Sequence, residues 1–120
     1  RGALLAILVV VAHLPGVAGG WLWDDDVLLR DNPQVTQGAG LAGIWWHNTS
    51  PDYFPLTTTT FWLEYRLWGP WPPGYRAVNL ALHAANAVLV WRVLLGLGAS
   101  GAWVAALLWG IHPVTVASVD

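Results

Sequence analysis

The chain has 120 residues, of which 56% are hydrophobic and only 10% are charged, and its formal net charge is -2. A soluble domain usually carries about a quarter charged residues, so this composition favours a membrane protein. The lack of a basic surface argues against nucleic acid as a partner, and the absence of cysteine excludes disulfide frameworks and cysteine metal sites.

The chain contains no methionine, and it stops at Asp120 inside a helical pattern. We therefore interpret it as the N-terminal part of a longer membrane protein. A site that is shared with other segments would then be incomplete in these residues, and the chain on its own is expected to be inactive.

An apolar stretch predicts a first membrane span at about residues 3–20, interrupted by His13 and Pro15. A bilayer core needs roughly 20 apolar residues, so this stretch is slightly short. Arg1, the apolar run and the small residues Ala18-Gly19-Gly20 also fit a secretory signal peptide with its cleavage site. The pattern leaves both interpretations open.

The chain leaves the membrane at Trp21-Leu22-Trp23-Asp24-Asp25-Asp26. Indole rings prefer the membrane–water boundary, and three aspartates at the bilayer centre would cost about 7–10 kcal/mol. Neighbouring carboxylates repel one another, which favours retention of a proton on one of them. Such a group can act as a general base or bind a divalent cation. The alternative is a solvated loop start that keeps the helix from sliding into lipid.

Residues 21–75 are predicted to form a long external loop with short interfacial helices. Asp31-Asn32-Pro33 is a turn signal. Residues 38–47 place Leu41, Ile44 and Trp45 on one helical face, which predicts a short helix in the plane of the interface.

Residues 57–68 favour strands by residue type but have a helical pattern. One predicted face carries the aromatic residues Phe61, Tyr65 and Trp68. A second face carries the polar residues Thr57, Thr60 and Glu64. We therefore predict a helix, ended by the three prolines that follow it.

Two further spans are predicted at about residues 76–97 and 102–119, the latter interrupted by His112-Pro113. The complete fold class is thus all-α, a polytopic transmembrane bundle with three spans and one long external loop. Asn79, His83 and Asn86 form a polar stripe along the second span, which fits either helix–helix contacts or the wall of a polar cavity. His112 could contact a phosphate or a sugar hydroxyl, although a lone histidine also serves structural roles.

The distribution of charge predicts the topology. The loop carries six acidic residues against Arg30, Arg66 and Arg76, while Arg1 and Arg92 lie on the opposite side of the predicted membrane. Positive charge marks the cytoplasmic side. We therefore predict a cytoplasmic N-terminus, an external loop and a cytoplasmic turn between the second and third spans.

Four blocks of the chain follow one another with a characteristic spacing. They are Trp23-Asp24-Asp25-Asp26 with Asp31-Asn32-Pro33; Tyr53-Phe54-Pro55-Leu56-Thr57-Thr58 with Phe61-Trp62-Leu63-Glu64-Tyr65-Arg66-Leu67-Trp68-Gly69; Gly74-Tyr75-Arg76 with Val78-Asn79-Leu80, His83 and Asn86; and His112-Pro113-Val114 with Ser118-Val119. In this series the chain resembles the GT-C membrane glycosyltransferases from about Trp23 onward. The most similar branch is that of the transmembrane-and-tetratricopeptide-repeat proteins, which includes the cadherin O-mannosyltransferases.

The resemblance implies transfer of a sugar from a polyprenyl-phosphate donor to a protein or glycan hydroxyl outside the cytoplasm. It assigns Asp24 or Asp25 as the catalytic base, or as ligands of a divalent cation if one is used. It places His112, with His83 and Asn79, at the donor site, and it implies tetratricopeptide repeats beyond Asp120.

Two positions depart from the pattern of that family: Ala117 stands where it usually has Glu, and Thr115 where it often has His or Asn. These departures point to a weakened donor site. The compact loop and the lack of cysteine favour a bacterial inner membrane over the endoplasmic reticulum. A non-enzymatic transporter or scaffold subunit is the alternative function, and it predicts that the polar stripe faces a water-filled path.

Overall fold

The computed structural model describes residues 1–21, 25–37, 40–47 and 53–115. In chain order the helical elements are α1 (Gly2–Val17), a π-helical turn (Asp26–Arg30), α2 (Pro33–Thr36), α3 (Gly40–Trp46), α4 (Pro55–Trp68), α5 (Pro72–Gly96), α6 (Ala102–Gly110) and a 3₁₀ turn (Pro113–Thr115). No strand occurs among these residues, which confirms the all-α class. The chain divides into two compact units. The first unit comprises Arg1–Gly19 and Arg76–Asp120, and the second unit comprises Gly20–Tyr75.

One helix in the described part of the chain, α5, is long and apolar enough to cross a membrane. Its 25 residues span about 37 Å at 1.5 Å per residue, which exceeds the roughly 30 Å of a bilayer core. Helix α1 is apolar but has only 16 residues, or about 24 Å. The three predicted spans are therefore not confirmed, whereas one apolar helix of spanning length supports a membrane protein.

The predicted third span, 102–119, is not one continuous helix. Helix α6 ends at Gly110, and a 3₁₀ turn follows at Pro113–Thr115. Proline lacks an N–H group and its ring clashes with the preceding turn, so the helix stops before Pro113. Residues 116–120 lie outside the described residues.

Helices α1, α5 and α6 pack together in the first unit. Their shared core consists of the buried residues Leu5, Val9, Ala84, Ala87 and Ala106. Three of these five are alanines, and small residues let helix backbones approach closely. Helices α1 and α6 approach closely at Gly110, where a Cβ atom would lie 2.6 Å from a methyl carbon of Val9.

The C-terminal end of α1 is held by a side chain from α5. The Nη1 atom of Arg76 donates to the carbonyl oxygen of Gly16 at 2.7 Å, and Arg76 is only 6% exposed. The last carbonyls of a helix lack partners within the helix, and a cation at that end also favours the helix dipole. Arg76 therefore caps α1, although the sequence pattern presents it as a loop charge.

The second unit begins with the predicted turn at Asp31-Asn32-Pro33, which is the N-terminus of α2. The Asn32 side chain accepts a hydrogen bond from the backbone N–H of Gln34 at 3.0 Å, and Pro33 occupies the first helical position. Both residue choices are typical of helix starts. The Gln34 amide in turn donates to the carbonyls of Gly43 and His47, each at 3.3 Å, which ties α2 to α3.

The short helix predicted at 38–47 is confirmed as α3, but its apolar residues do not share one environment. Ile44 is 1% exposed, whereas Leu41 and Trp45 are 47% and 40% exposed. The Nε1 atom of Trp45 donates to Thr59 at 3.1 Å, which joins α3 to α4. Only Ile44 therefore contributes to the core of the unit.

The helix predicted at 57–68 is also confirmed, since α4 covers Pro55–Trp68. The assignment of its faces is wrong at one position. Glu64, placed on the polar face by the sequence, is the buried residue of α4, while Leu67 is 74% exposed.

An aromatic cluster surrounds Tyr75. Its ring centroid lies 5.6, 6.2 and 6.1 Å from those of Trp21, Phe61 and Trp68. Phe61, Glu64 and Trp68 occur at i, i+3 and i+7, so this aromatic core draws Glu64 inward.

Candidate functional site

The acidic cluster is described from Asp25 onward, and Asp24 lies outside the described residues. Asp25 is half-buried and directly precedes the π-helical turn Asp26–Arg30. Such turns are rare and occur frequently at functional sites.

Asp26, the last residue of the acidic cluster, forms an ion pair with Arg30. Asp26 Oδ1 lies 2.9 Å from Arg30 Nη1. The same guanidinium donates to both carboxylate oxygens of Asp31, at 3.1 and 3.0 Å. This hydrogen bonding to Arg30 lowers the pKa of Asp31. Arg30 is thus shared between Asp26 and Asp31.

His112 follows the end of α6 and is exposed. Its Nδ1 atom accepts a hydrogen bond from the backbone N–H of Val114 at 3.2 Å. A neutral imidazole has one donor and one acceptor nitrogen, so the ring proton of His112 resides on Nε2. The exposed ring can therefore donate a hydrogen bond to an anionic oxygen. Thr115, one of the two departures from the family pattern, donates through its hydroxyl to the His112 carbonyl at 2.7 Å.

The polar stripe of the second span has three different environments. Asn79 is half-buried, His83 is buried and Asn86 is exposed. His83 Nε2 donates to the carbonyl oxygen of Gly110 at 2.8 Å. This bond brings His83 to the end of α6, two residues before His112. Asn86 instead lies with Trp109 and four apolar residues of α5 along a surface groove of about 370 Å³.

His13, which interrupts the first apolar stretch, belongs to the same part of the first unit. His13 is 4% exposed, and its Nε2 atom also donates to the Gly110 oxygen, at 3.0 Å. Its ring meets that of His83 edge-on, with 5.3 Å between the ring centroids. A polar side chain within an apolar helix is itself a signal, since such groups usually face other helices.

Glu64 is the residue of α4 that the sequence pattern placed on the wrong face. It is 7% exposed, and its Oε2 atom has no hydrogen-bond partner. Desolvation by burial raises its pKa from 4.5 to about 7. The Nε1 atom of Trp68, one helical turn further along α4, is likewise buried without a partner.

Metal binding at Asp24 and Asp25 stays a prediction, because the structure describes only the second of these residues. In the rest of the described chain, no three His, Asp or Glu side chains gather in a way that could hold a metal ion.

Comparison with known proteins relates the chain to one group of enzymes. It is 30% identical to human protein O-mannosyl-transferase TMTC4 over 89% of its length, and 28% identical to a Caenorhabditis elegans protein O-mannosyl-transferase over 97%. Drosophila melanogaster Tmtc3, also named a protein O-mannosyl-transferase, is 27% identical over 96% of the chain. The chain is homologous to the TMTC protein O-mannosyl-transferases. This finding confirms the branch that the four sequence blocks indicate.

The similarity to the TMTC proteins covers nearly the whole chain but only a small part of each relative. The chain spans 18%, 19% and 16% of the lengths of these three proteins. No family model and no solved structure matches it. The three relatives come from animals, which does not favour the predicted bacterial membrane.

Proposed function

We propose that the chain forms part of a membrane glycosyltransferase that moves mannose from a polyprenyl-phosphate-linked donor to a protein hydroxyl outside the cytoplasm. The observation that carries this proposal is the homology to TMTC protein O-mannosyl-transferases along at least 89% of the chain. One apolar helix of spanning length supports a membrane location. The donor lipid, the external site and the three-span topology are parts of the proposal.

Asp24 or Asp25 is the proposed base toward the acceptor hydroxyl. Their place in the first sequence block supports this choice, since Asp26 lies outside the paired motif and forms an ion pair with Arg30. The base must come within hydrogen-bond reach of the hydroxyl proton that it removes. The π-helical turn that directly follows Asp25 also supports a functional role of this segment, since such turns occur frequently at functional sites.

His112 is the proposed contact to the donor phosphate, and Asn79 is a further proposed residue of the donor site. The Val114 N–H on Nδ1 leaves Nε2–H as the donor group of the exposed ring, and a phosphate oxygen is a strong acceptor for it. This hydrogen bond would stabilise negative charge that develops on the phosphate as the sugar departs.

The proposed transfer is a single displacement with inversion at the sugar. The acceptor oxygen forms a bond to C1 of mannose while the bond between C1 and the donor phosphate oxygen breaks. The leaving polyprenyl phosphate keeps the electron pair of that bond, and the acceptor proton moves to the aspartate carboxylate. Atoms and charges balance without a further reactant.

The test is mannose transfer by the complete protein in membranes, with Asp24→Asn and Asp25→Asn as separate variants. Loss of a general base typically lowers the rate by about 10²–10⁴-fold, and we expect this loss in one of the two variants. Asp31→Asn is the matched control, because Asp31 is exposed and paired with Arg30, and it should retain transfer. Full activity of both Asp24→Asn and Asp25→Asn would remove the catalytic role of the cluster.

A further inference from the structure

Two buried histidines from different helices share one backbone carbonyl in the first unit. His13 of α1 and His83 of α5 place their Nε2 atoms 3.0 and 2.8 Å from the oxygen of Gly110. A carbonyl oxygen has two lone pairs and can accept both hydrogen bonds. Each neutral ring must therefore carry its proton on Nε2.

The shared oxygen is the one that a continuing helix would use next. In an α-helix the N–H of residue i+4 donates to the carbonyl of residue i, so the natural donor to Gly110 is the N–H of Val114. That N–H donates instead to Nδ1 of His112, at 3.2 Å. Because Pro113 ends the helix, the Gly110 carbonyl has no helical donor, and the two histidines supply donors to it.

The Gly110 carbonyl lies two residues before His112, so the buried pair anchors the backbone that carries the exposed ring. The N–H of Val114 in turn fixes both the orientation of that ring and the position of its proton. If this segment shifts because the anchor is lost, Nδ1 of His112 loses its donor, and either ring nitrogen could then carry the proton.

We propose that His13 and His83 are positioning residues for His112, which they hold as an Nε2–H donor toward a phosphate oxygen of the sugar donor. The role at the phosphate rests on the proposed function, whereas the coupling between the three rings does not. This assigns His83 an indirect role, since its Nε2 already bonds Gly110. It assigns a role to His13, which has no counterpart in the sequence motifs.

The matched variants are glutamine and asparagine at positions 13 and 83. Glutamine places an amide N–H close to where Nε2 of histidine lies, while asparagine is shorter and cannot reach Gly110 from the same backbone. We expect His13→Asn and His83→Asn to shift His112 away from the Nε2–H tautomer. The glutamine variants should retain it. The readout is the ring ¹⁵N NMR spectrum of the complete protein in detergent micelles, which distinguishes the two tautomers without any substrate.

The kinetic readout uses a polyprenyl-phosphate mannose donor and a serine-containing peptide. We expect the asparagine variants to raise KM for the donor about tenfold with kcat nearly unchanged, and the glutamine variants to restore KM. A structural role alone would lower the amount of folded protein and leave both KM and the tautomer of His112 as they are, which would overturn the proposal.

If an asparagine variant does not fold, the ring ¹⁵N NMR spectrum of the unmodified protein tests the coupling between the three histidines. An Nδ1–H tautomer at His13, His83 or His112 in its NMR spectrum would refute the coupling. Absence of mannose transfer by the unmodified protein would refute the proposed function instead, and the tautomers would still report on the histidine pair.

Discussion

The buried carboxyl of Glu64 should make the stability of the second unit depend on pH. Burial raises its pKa to about 7 in the folded chain, against 4.5 for an exposed glutamate. Below pH 4.5 both folded and unfolded chains are protonated, so the stability of the unit is complete. Between pH 4.5 and 7 the unfolded chain releases its proton while the folded chain retains it, and stability falls as the pH rises.

The magnitude follows from the difference between these two pKa values. One pKa unit corresponds to about 1.4 kcal/mol, so the full difference corresponds to roughly 3 kcal/mol. Water that reaches the carboxylate as it ionises reduces the penalty, and we therefore expect a loss of about 2–3 kcal/mol. This loss equals a 30- to 150-fold increase in the opening equilibrium constant of the unit, at roughly tenfold per 1.4 kcal/mol.

Hydrogen exchange at the backbone amides of α4 measures this opening equilibrium in the complete protein. After correction for intrinsic exchange, protection should fall about 30- to 150-fold between pH 5 and pH 8, as calculated from the free energy. Glu64→Gln stays neutral and should abolish the fall, because its side chain does not titrate. Asp31→Asn is the control. Arg30 lowers the pKa of Asp31, so this carboxyl titrates below pH 5 and the variant should keep the pH dependence of the parent. Equal pH dependence in the parent and in Glu64→Gln would refute the reasoning.

Two further predictions concern helix packing in the first unit, and both use denaturant unfolding of the detergent-solubilised protein. Gly110→Ala should lower the free energy of unfolding by about 1–3 kcal/mol through overpacking, because its Cβ would meet a methyl carbon of α1 at 2.6 Å. The control Gly96→Ala has open space around it and should leave the free energy of unfolding almost unchanged. Equal stability of the two variants would contradict the close approach. Arg76→Gln should lower the free energy of unfolding by roughly 1–3 kcal/mol, because the charge-assisted hydrogen bond to the Gly16 carbonyl is lost. The control Arg92→Gln changes an exposed arginine of the same helix. An equal effect of both variants would exclude the capping role of Arg76.

The helices of the second unit could be predicted because their signals are local. Asn32 and Pro33 suit the start of a helix by their own chemistry, and the structure has α2 starting there. Helical spacing decided correctly between helix and strand for the aromatic residues of α4. Neither prediction required knowledge of what the segment contacts.

The burial of Glu64 could not be predicted by the same reasoning. Residue type places a glutamate on the solvent face, yet Phe61 and Trp68 flank it on the face that packs around Tyr75. The aromatic burial of Phe61 and Trp68, each a large apolar ring, outweighs the desolvation of one carboxyl. Only the tertiary contacts of Tyr75 decide which face of α4 is inward.

The histidine pair was missed for a related reason, since its partner is distant in sequence. Gly110 is 97 residues from His13 and 27 from His83, so no local spacing connects them. The sequence did indicate that polar groups on these helices need partners. It could not specify that both partners would be the same backbone carbonyl.

Two helix ends in the first unit are thus completed by side chains from other helices: α1 by Arg76, and α6 by His13 and His83. The last carbonyls of a helix need donors, and a membrane offers no water to supply them.

The capping role of Arg76 also changes the charge count that underlies the predicted topology. Arg76 caps a helix within the first unit and is no longer a charge of the external loop. Of the remaining loop arginines, Arg30 is paired with two aspartates, and the guanidinium of Arg66 lies over the ring of Trp62 at 4.4 Å. These contacts leave both arginines charged, and the positive-inside rule counts Lys and Arg residues. Only the reassignment of Arg76 therefore changes the count, which leaves Arg30 and Arg66 as the arginines of the predicted loop.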